Sequence, residues 1–486
     1  RDAALTGVMM KASGGTEGSP KVISNVVLDG MKATVAAAGY ILEIAAGAYV
    51  KLGSGAVVQK NAAGGVNNKG TLIIEGGAVK NNNGTLYGGG VYVQNGTLTV
   101  KNGGEISGNE ASHGSGIYVG SGAKVYIEDG GLVSGNSKSG SGEAVYIYTG
   151  AELTVSGGEI KDNGNIGISV EETGAKVTVS GGKITGNGGY GINIYSGTVT
   201  ISGGEISGNK GGVKNSATLT ITGGKISGNT VTSYSSAYGG GIYNTGTVTM
   251  SGGEISGNTA SASTSSGSIQ ACGGGIYNKS GSGTAGKLTI TGGTIENNSA
   301  TAKCTSSGTS DGLKAYGGNI YNGSSGTVEI SCKIGNGTAS ATGGKPVSGG
   351  NNIWHEGLSL GVKGGAEIGE AELATSKYIT ILDTLTESNV AVIKPSKYEA
   401  GVKVLEKGAS SSVTISQCKS KFSLSDTTTG LVIYDNGTLA EEGFNPIYLE
   451  YGTEDDSSAT GSIDSPARSI KKAAELQTAD PGREIY

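Results

Sequence analysis

The sequence predicts an all-β protein: a single-stranded parallel β-helix with about three strands per coil, followed by a β-rich C-terminal cap. Three observations lead there. The phrase "SGGEISGN" at 202–209 returns as "TGGKISGN" at 222–229 and "SGGEISGN" at 251–258. Its Asn falls at 82, 109, 136, 163, 187, 209, 229, 258 and 298 and, in a degenerate copy, at 336, so units repeat every 20 to 40 residues. Proline, which cannot donate to a strand ladder, is absent from 21–345, a stretch rich in Gly, Val, Ile and Thr.

Each unit divides into three short β-type pieces separated by Gly-Gly or Ser-Gly turns, for example "GINIY" (191–195), "GTVTI" (197–201) and "GGEISGN" (203–209). If one unit is one coil, every strand pairs with its counterpart in the next coil. At about 4.8 Å per coil, ten coils make a rod roughly 45–50 Å long. Alternation then sorts the faces. Val199, Ile201, Ile206, Ile242 and Asn244 point inward, while Thr198, Thr200, Glu205, Ser207 and Tyr243 point outward. The Asn residues are expected to stack at corners, where left-handed backbone costs Asn little and side-chain amides form ladders.

Composition narrows the function. Gly makes up 93 of 486 residues against two Phe and one Trp, which excludes a core built on large aromatics. Net charge is −5, and Arg occurs only at 1, 468 and 483, so nucleic acid is not an expected partner. No apolar run approaches the length of a membrane span, so no membrane insertion is expected within this chain. The start at "RDAAL" reads as that of a mature fragment.

The copies "GGGIYN" (239–244 and 273–278), each leading into a "GG" strand such as "GGEISGN", resemble the repeats of right-handed parallel β-helix proteins of bacterial cell surfaces, of the large secreted adhesin type. They are more distantly similar to repeats of chlamydial polymorphic outer-membrane proteins. The resemblance covers roughly residues 65–355. It implies a right-handed helix of the superfold that also carries pectate lyases, and an extracellular or cell-surface location in a bacterium. The expected domains are a β-helix over 1–365, a β-rich cap over 366–445, and over 446–486 a linker with the start of a second β-helix.

One outward row is aromatic at both ends. It holds Tyr92, Tyr118 and Tyr146, then Ser169, Asn193 and Lys214, then Tyr243, Tyr277, Tyr321 and Trp354. Units lengthen where 230–238, 259–272 and 299–316 intervene, all at the corner before the second aromatic group, and insertions gathered on one edge of a solenoid mark its binding face. Tyr243, Tyr277, Tyr321 and Trp354 are therefore the expected ligand contacts, for a glycan or a protein on a cell surface. Self-association into fibres is the other expected association.

Cys272 with Cys304, and Cys332 with Cys418, are candidate disulfides, with four free thiols as the alternative. No Cys-x-x-Cys pair exists, and neither a metal nor another cofactor is expected. Glu159, Lys183, Glu205, Lys225 and Glu254 occupy one outward position of five coils, a neutralising ladder rather than a catalytic pair. A polysaccharide-degrading enzyme is the competing reading. Against it, 65–355 contains three Asp and no Arg, His113 and His355 have no visible acid partner, and Glu171-Glu172 and Glu296 are unassigned. Outward Thr pairs at 198/200, 218/220 and 247/249 suggest ice binding as a remoter alternative, although Glu152, Lys176, Lys287 and Glu329 interrupt the row.

Overall fold

The structure, a computed structural model, describes residues 8–442 apart from 32–38, 138–141, 266, 282–284, 305–310 and 344. Alternating aliphatics dictate its plan. In strands of three to five residues, one set of side chains faces inward and the Gly-rich corners turn the chain back over the previous coil. The result is a right-handed parallel β-helix. One coil comprises Ile192–Ile194, Thr198–Ile201 and Glu205–Ser207, and each strand pairs in parallel with the equivalent strand one coil away.

The first strand of each coil builds a sheet of sixteen strands, from Met10–Ala12 to Phe422–Leu424. At about 4.8 Å per strand this makes a rod roughly 70 Å long, longer than the phrase alone indicates. The ladder crosses residue 365 without a break. Ile353, Ala371, Ile393 and Leu424 continue one inward row into the region expected to be a β-rich cap. The closing element is smaller. A one-turn helix, Ile415–Cys418, is capped by Thr414 and Gln417. It lies beside the antiparallel pair Leu431–Ile433 and Leu439–Glu441, and together they bury Ile415, Cys418, Ile433 and Leu439 against the aliphatic core. The linker and second helix expected over 446–486 lie outside the described residues.

Inside, like sits on like. Val79, Ile106, Val133, Ile160, Ile184, Ile206, Ile226, Ile255 and Ile295 form one unbroken inward row, all 1% exposed or less. Each such side chain contributes about 1.5–3 kcal/mol by burial.

The asparagine of the phrase works differently from expectation. The left-handed residue is the Gly before it, as at Gly108 (φ +61°), Gly208 (φ +64°) and Gly257 (φ +62°). Where that Gly is missing, Asn81, Asp162 and Asn297 take its conformation at φ 52–56°. The following Asn is buried and spans two coils. Asn187 Oδ1 accepts from the backbone N–H and Nδ2 of Asn163, and its own Nδ2 donates to Ile160 O and Asn209 Oδ1. The ladder runs from Asn61 through Asn82, Asn109, Asn136, Asn163, Asn187, Asn209, Asn229 and Asn258 to Asn298. Its next member is Asn319 rather than Asn336, because Asn298 Nδ2 donates to Asn319 Oδ1 at 2.9 Å while Asn336 is exposed.

Outside, the charge row holds its register from Glu159 to Glu254. Lys225 reaches Glu254 at 3.0 Å, whereas Glu159 turns to Lys161 at 2.6 Å on its own strand. Pairs this exposed contribute about 0–1 kcal/mol each.

The inserted segments are stacked strands. Thr230–Ser233, Thr259–Thr264, Ser299–Cys304 and Thr338–Thr342 form one four-stranded parallel sheet, and Ser236–Tyr238, Ile269–Cys272, Asp311–Tyr316 and Lys345–Gly349 form another. Between them Ala237, Ala260, Ala262, Ala271, Ala300, Ala302 and Ala315, with Ile269, Leu313 and Cys304, make a separate thin core. The two sheets form a fin standing off one corner of the rod. Gly274 makes the junction possible, because a Cβ there would lie 2.3 Å from the backbone of Ser299.

Candidate functional site

The outward row of the first sheet is in register as expected: Tyr92, Tyr118, Tyr146, Ser169, Asn193, Lys214, Tyr243, Tyr277, Tyr321 and Trp354 occupy successive coils. The fin divides the fates of its two aromatic ends.

At the second end the fin folds down onto the row. Tyr277 and Tyr321 stack with ring centroids 5.0 Å apart and are each 7% exposed. Tyr238 of the fin lies 4.6 Å from Tyr277, and Tyr316 stacks on Trp354 at 4.0 Å. Cys272 is buried in the same cluster. Glu356 ties it together, accepting from Tyr321 Oη at 2.6 Å and Trp354 Nε1 at 3.4 Å. Burial raises the Tyr277, Tyr321 and Cys272 groups far above their ordinary values. Of the four expected contacts, Tyr277 and Tyr321 are buried in this seam between rod and fin, while Tyr243 and Trp354 stay partly exposed at its margins. The insertions are strands rather than loops, and the Ala alternation in "TASAST", "SATAK" and "TASAT" is the sequence signal of paired strands with a narrow core.

The bridges between Cys272 and Cys304 and between Cys332 and Cys418 are not formed in the structure. The reason is placement. Cys272 pairs with Tyr316 in one fin sheet and faces the tyrosines, while Cys304 pairs with Thr264 in the other and faces the alanine core. Cys418 Sγ donates to Thr414 O within its own helical turn, and burial pushes its thiol up to about 11.

His355 also has a partner. A second buried ladder passes from Asn215 to Asn244, Asn278 and Asn322, each Nδ2 donating to the next Oδ1 at 2.7–3.0 Å. It ends where Asn322 Nδ2 meets His355 Nδ1 at 3.0 Å. Since the amide donates, Nδ1 accepts and the ring is neutral. Burial, then Lys377, holds its pKa down to about 4 from the usual 6.5. Above pH 6.5 the ring is neutral whether folded or unfolded, and no stability is lost. Below that the unfolded chain takes a proton that the folded one refuses. Stability is therefore expected to fall by about 3 kcal/mol between pH 6.5 and 4. Denaturant melts across that window should show the loss, and His355→Asn should flatten it.

Tyr243 borders a shallow groove of about 560 Å³ at the corner that follows the first strand, with Lys214, Ser216, Thr245, Lys279, Ser280 and Gly281. The Lys214 Nζ sits 5.4 Å from the Tyr195 ring centre and that of Lys279 5.8 Å from Tyr277. Among the described residues neither lysine has a carboxylate within ion-pair distance. No group of three or more metal-ligating side chains occurs among the described residues, and no helix there is long and apolar enough to cross a membrane.

At the first end no fin intervenes. Tyr118 is buried at 6%, but Tyr87 and Tyr148 remain exposed around it, and Tyr146 stacks on it at 5.0 Å. His113 Nδ1 lies 3.8 Å from Glu143 Oε2. Tyr87 and His113 were missed as members of this surface. Both precede a Gly corner ("YGGG", "HGSG") and bridge in parallel one coil apart, as Tyr238, Cys272 and Tyr316 do on the fin side.

Fold and surface together define a right-handed parallel β-helix repeat protein carrying a lateral fin. Residues 6–206 match the family described as right handed beta helix region. No curated protein and no solved structure matches the chain.

Proposed function

We propose that the protein is a stiff extracellular rod of a bacterial surface that adheres to acidic glycans through the groove lined by Lys214, Tyr243 and Lys279. The observation that carries this reading is the pair of lysines without carboxylate partners, Lys214 and Lys279, lining one groove with Tyr243. A tyrosine ring offers a face to a sugar, hydroxyls from Ser216, Thr245 and Ser280 offer hydrogen bonds, and two ammonium groups suit a uronate or sialate carboxylate. Several other lysines of the rod are paired with carboxylates, as in Lys51–Glu75 at 2.7 Å and Lys363–Glu329. Affinity per site is modest, and several rods on one cell convert it into avidity.

The test is an array of neutral and carboxylate-bearing glycans, followed by titration of the best ligand. Lys214→Ala and Lys279→Ala should each weaken binding about tenfold, as expected for loss of one charge-assisted hydrogen bond. A preference for neutral glycans, or unchanged binding by the double variant, would overturn the reading.

A further inference from the structure

The uncovered aromatic surface at the other end of the row carries chemistry of the opposite sign. Tyr87, Tyr118 and Tyr146 form a continuous ring surface, with centroids 4.6 Å and 5.0 Å apart, and His113 lies 5.1 Å from Tyr146. Against this surface stand Glu143 and Glu171. The Glu143 side chain is only 15% exposed, and its Oε2 has no donor. The Nδ1 of His113 facing it, at 3.8 Å, is buried without a partner as well. Glu171 is held by the hydroxyl of Ser169, the member of the outward row that follows Tyr146. One coil further along that row, Asn193 is 2% exposed and its Oδ1 also lacks a donor. Three buried polar atoms without partners therefore belong to one run of the surface, and two of them can only accept.

Several carboxylates elsewhere on the rod are neutralised by lysine. Glu43, Glu75, Glu152, Glu254 and Glu329 each have a lysine within 4 Å. Among the described residues neither Glu143 nor Glu171 has one. Burial raises both carboxyl groups above their usual range although His113 opposes the shift in each, and Glu143 adds to the field at Glu171 and both add to that at Tyr146. Two like charges kept near one another, partly desolvated and beside ring faces, are costly until a cation arrives. Tyrosine faces attract cations in their own right.

We propose that this surface binds glycans bearing an unacetylated hexosamine, the ammonium group seated between Glu143, Glu171 and the Tyr146 ring and the sugar faces lying on the exposed rings of Tyr87 and Tyr148. An amino sugar fits better than a lysine side chain because the stacked rings offer flat area along successive coils, which a pyranose covers and an alkyl chain does not. The inference stands apart from the acidic-glycan groove, from which it differs in both residues and charge.

The test uses the whole chain, titrated by calorimetry with a glucosamine tetramer, an N-acetylglucosamine tetramer and a tetralysine peptide. Saturable binding of the first is expected, with the acetylated tetramer weaker by tenfold or more. Glu143→Gln should weaken glucosamine binding about tenfold, and Glu171→Gln should do the same without disturbing the fold. Glu152→Gln, whose carboxylate pairs with Lys124 at 3.2 Å, should leave binding unchanged. No saturation with the glucosamine tetramer, equal binding of both tetramers, or binding of tetralysine alone would each overturn the assignment. Lys214→Ala should not affect it, so failure here and failure of the acidic groove are separable.

Discussion

Asn187→Ala is expected to destabilise the rod by roughly 3–5 kcal/mol, although the residue touches no surface feature. Four side-chain hydrogen bonds disappear: two from Asn163, one to Ile160 O and one to Asn209. The partners left behind are buried. Asn163 loses the acceptor for its backbone N–H, and Ile160 O loses its side-chain donor. Each buried polar group left unsatisfied costs about 1–3 kcal/mol, and water cannot fill in at a position 2% exposed. Asn187→Asp should be worse still, because it removes both donors and buries a charge. The loss should also be local. A solenoid's stability is a sum over neighbouring coils, so amide exchange should accelerate first in the coils around 163–209 while the coils near Ile353 keep their protection. A melting profile within a degree of the parent would show that the ladder is ornamental.

Tyr277→Ala is expected to release the fin. Its ring is 7% exposed and lies against Tyr238, Tyr243 and Tyr321 at 4.6, 5.3 and 5.0 Å. Truncating a buried aromatic to Ala costs about 3–5 kcal/mol. The fin's own core is mostly alanine, so it has little independent stability to draw on. Limited proteolysis should cut Tyr277→Ala within 230–349 under conditions that spare the parent, while circular dichroism of the remaining coils stays parallel-β in character. Tyr148→Ala, at an exposed position (37%) of the other aromatic surface, should leave the fin uncut. If Tyr277→Ala resists protease as well as the parent does, the seam is not what holds the fin down.

Much of the fold was legible because a coil repeats its environment. Ile206 meets Ile184 and Ile226, so a period in sequence is a contact in space, and alternation alone assigns Thr200 outward and Ile201 inward. The site was less legible. The outward row was readable as a row, yet whether Tyr321 faces solvent depends on a sheet that begins at the previous corner and returns Tyr316 beside it. The end of the phrase also concealed coils beyond residue 365, where Ala371 and Ile393 pack inward without Gly-Gly corners to announce them. His355 looked isolated because its partner, Asn322, is 33 residues away in sequence and one coil away in space.

What the sequence determined by itself is the winding: its short strands, its aliphatic interior, its stacked amides and the register that lines up ten outward side chains. Those features depend on local alternation and on period, and both are written along the chain. Only the tertiary structure decided which tyrosines remain open, which carboxylates lack a lysine and which thiols can meet. These depend on where the fin lies, and its position follows from packing between segments whose separation along the chain carries no record of their distance.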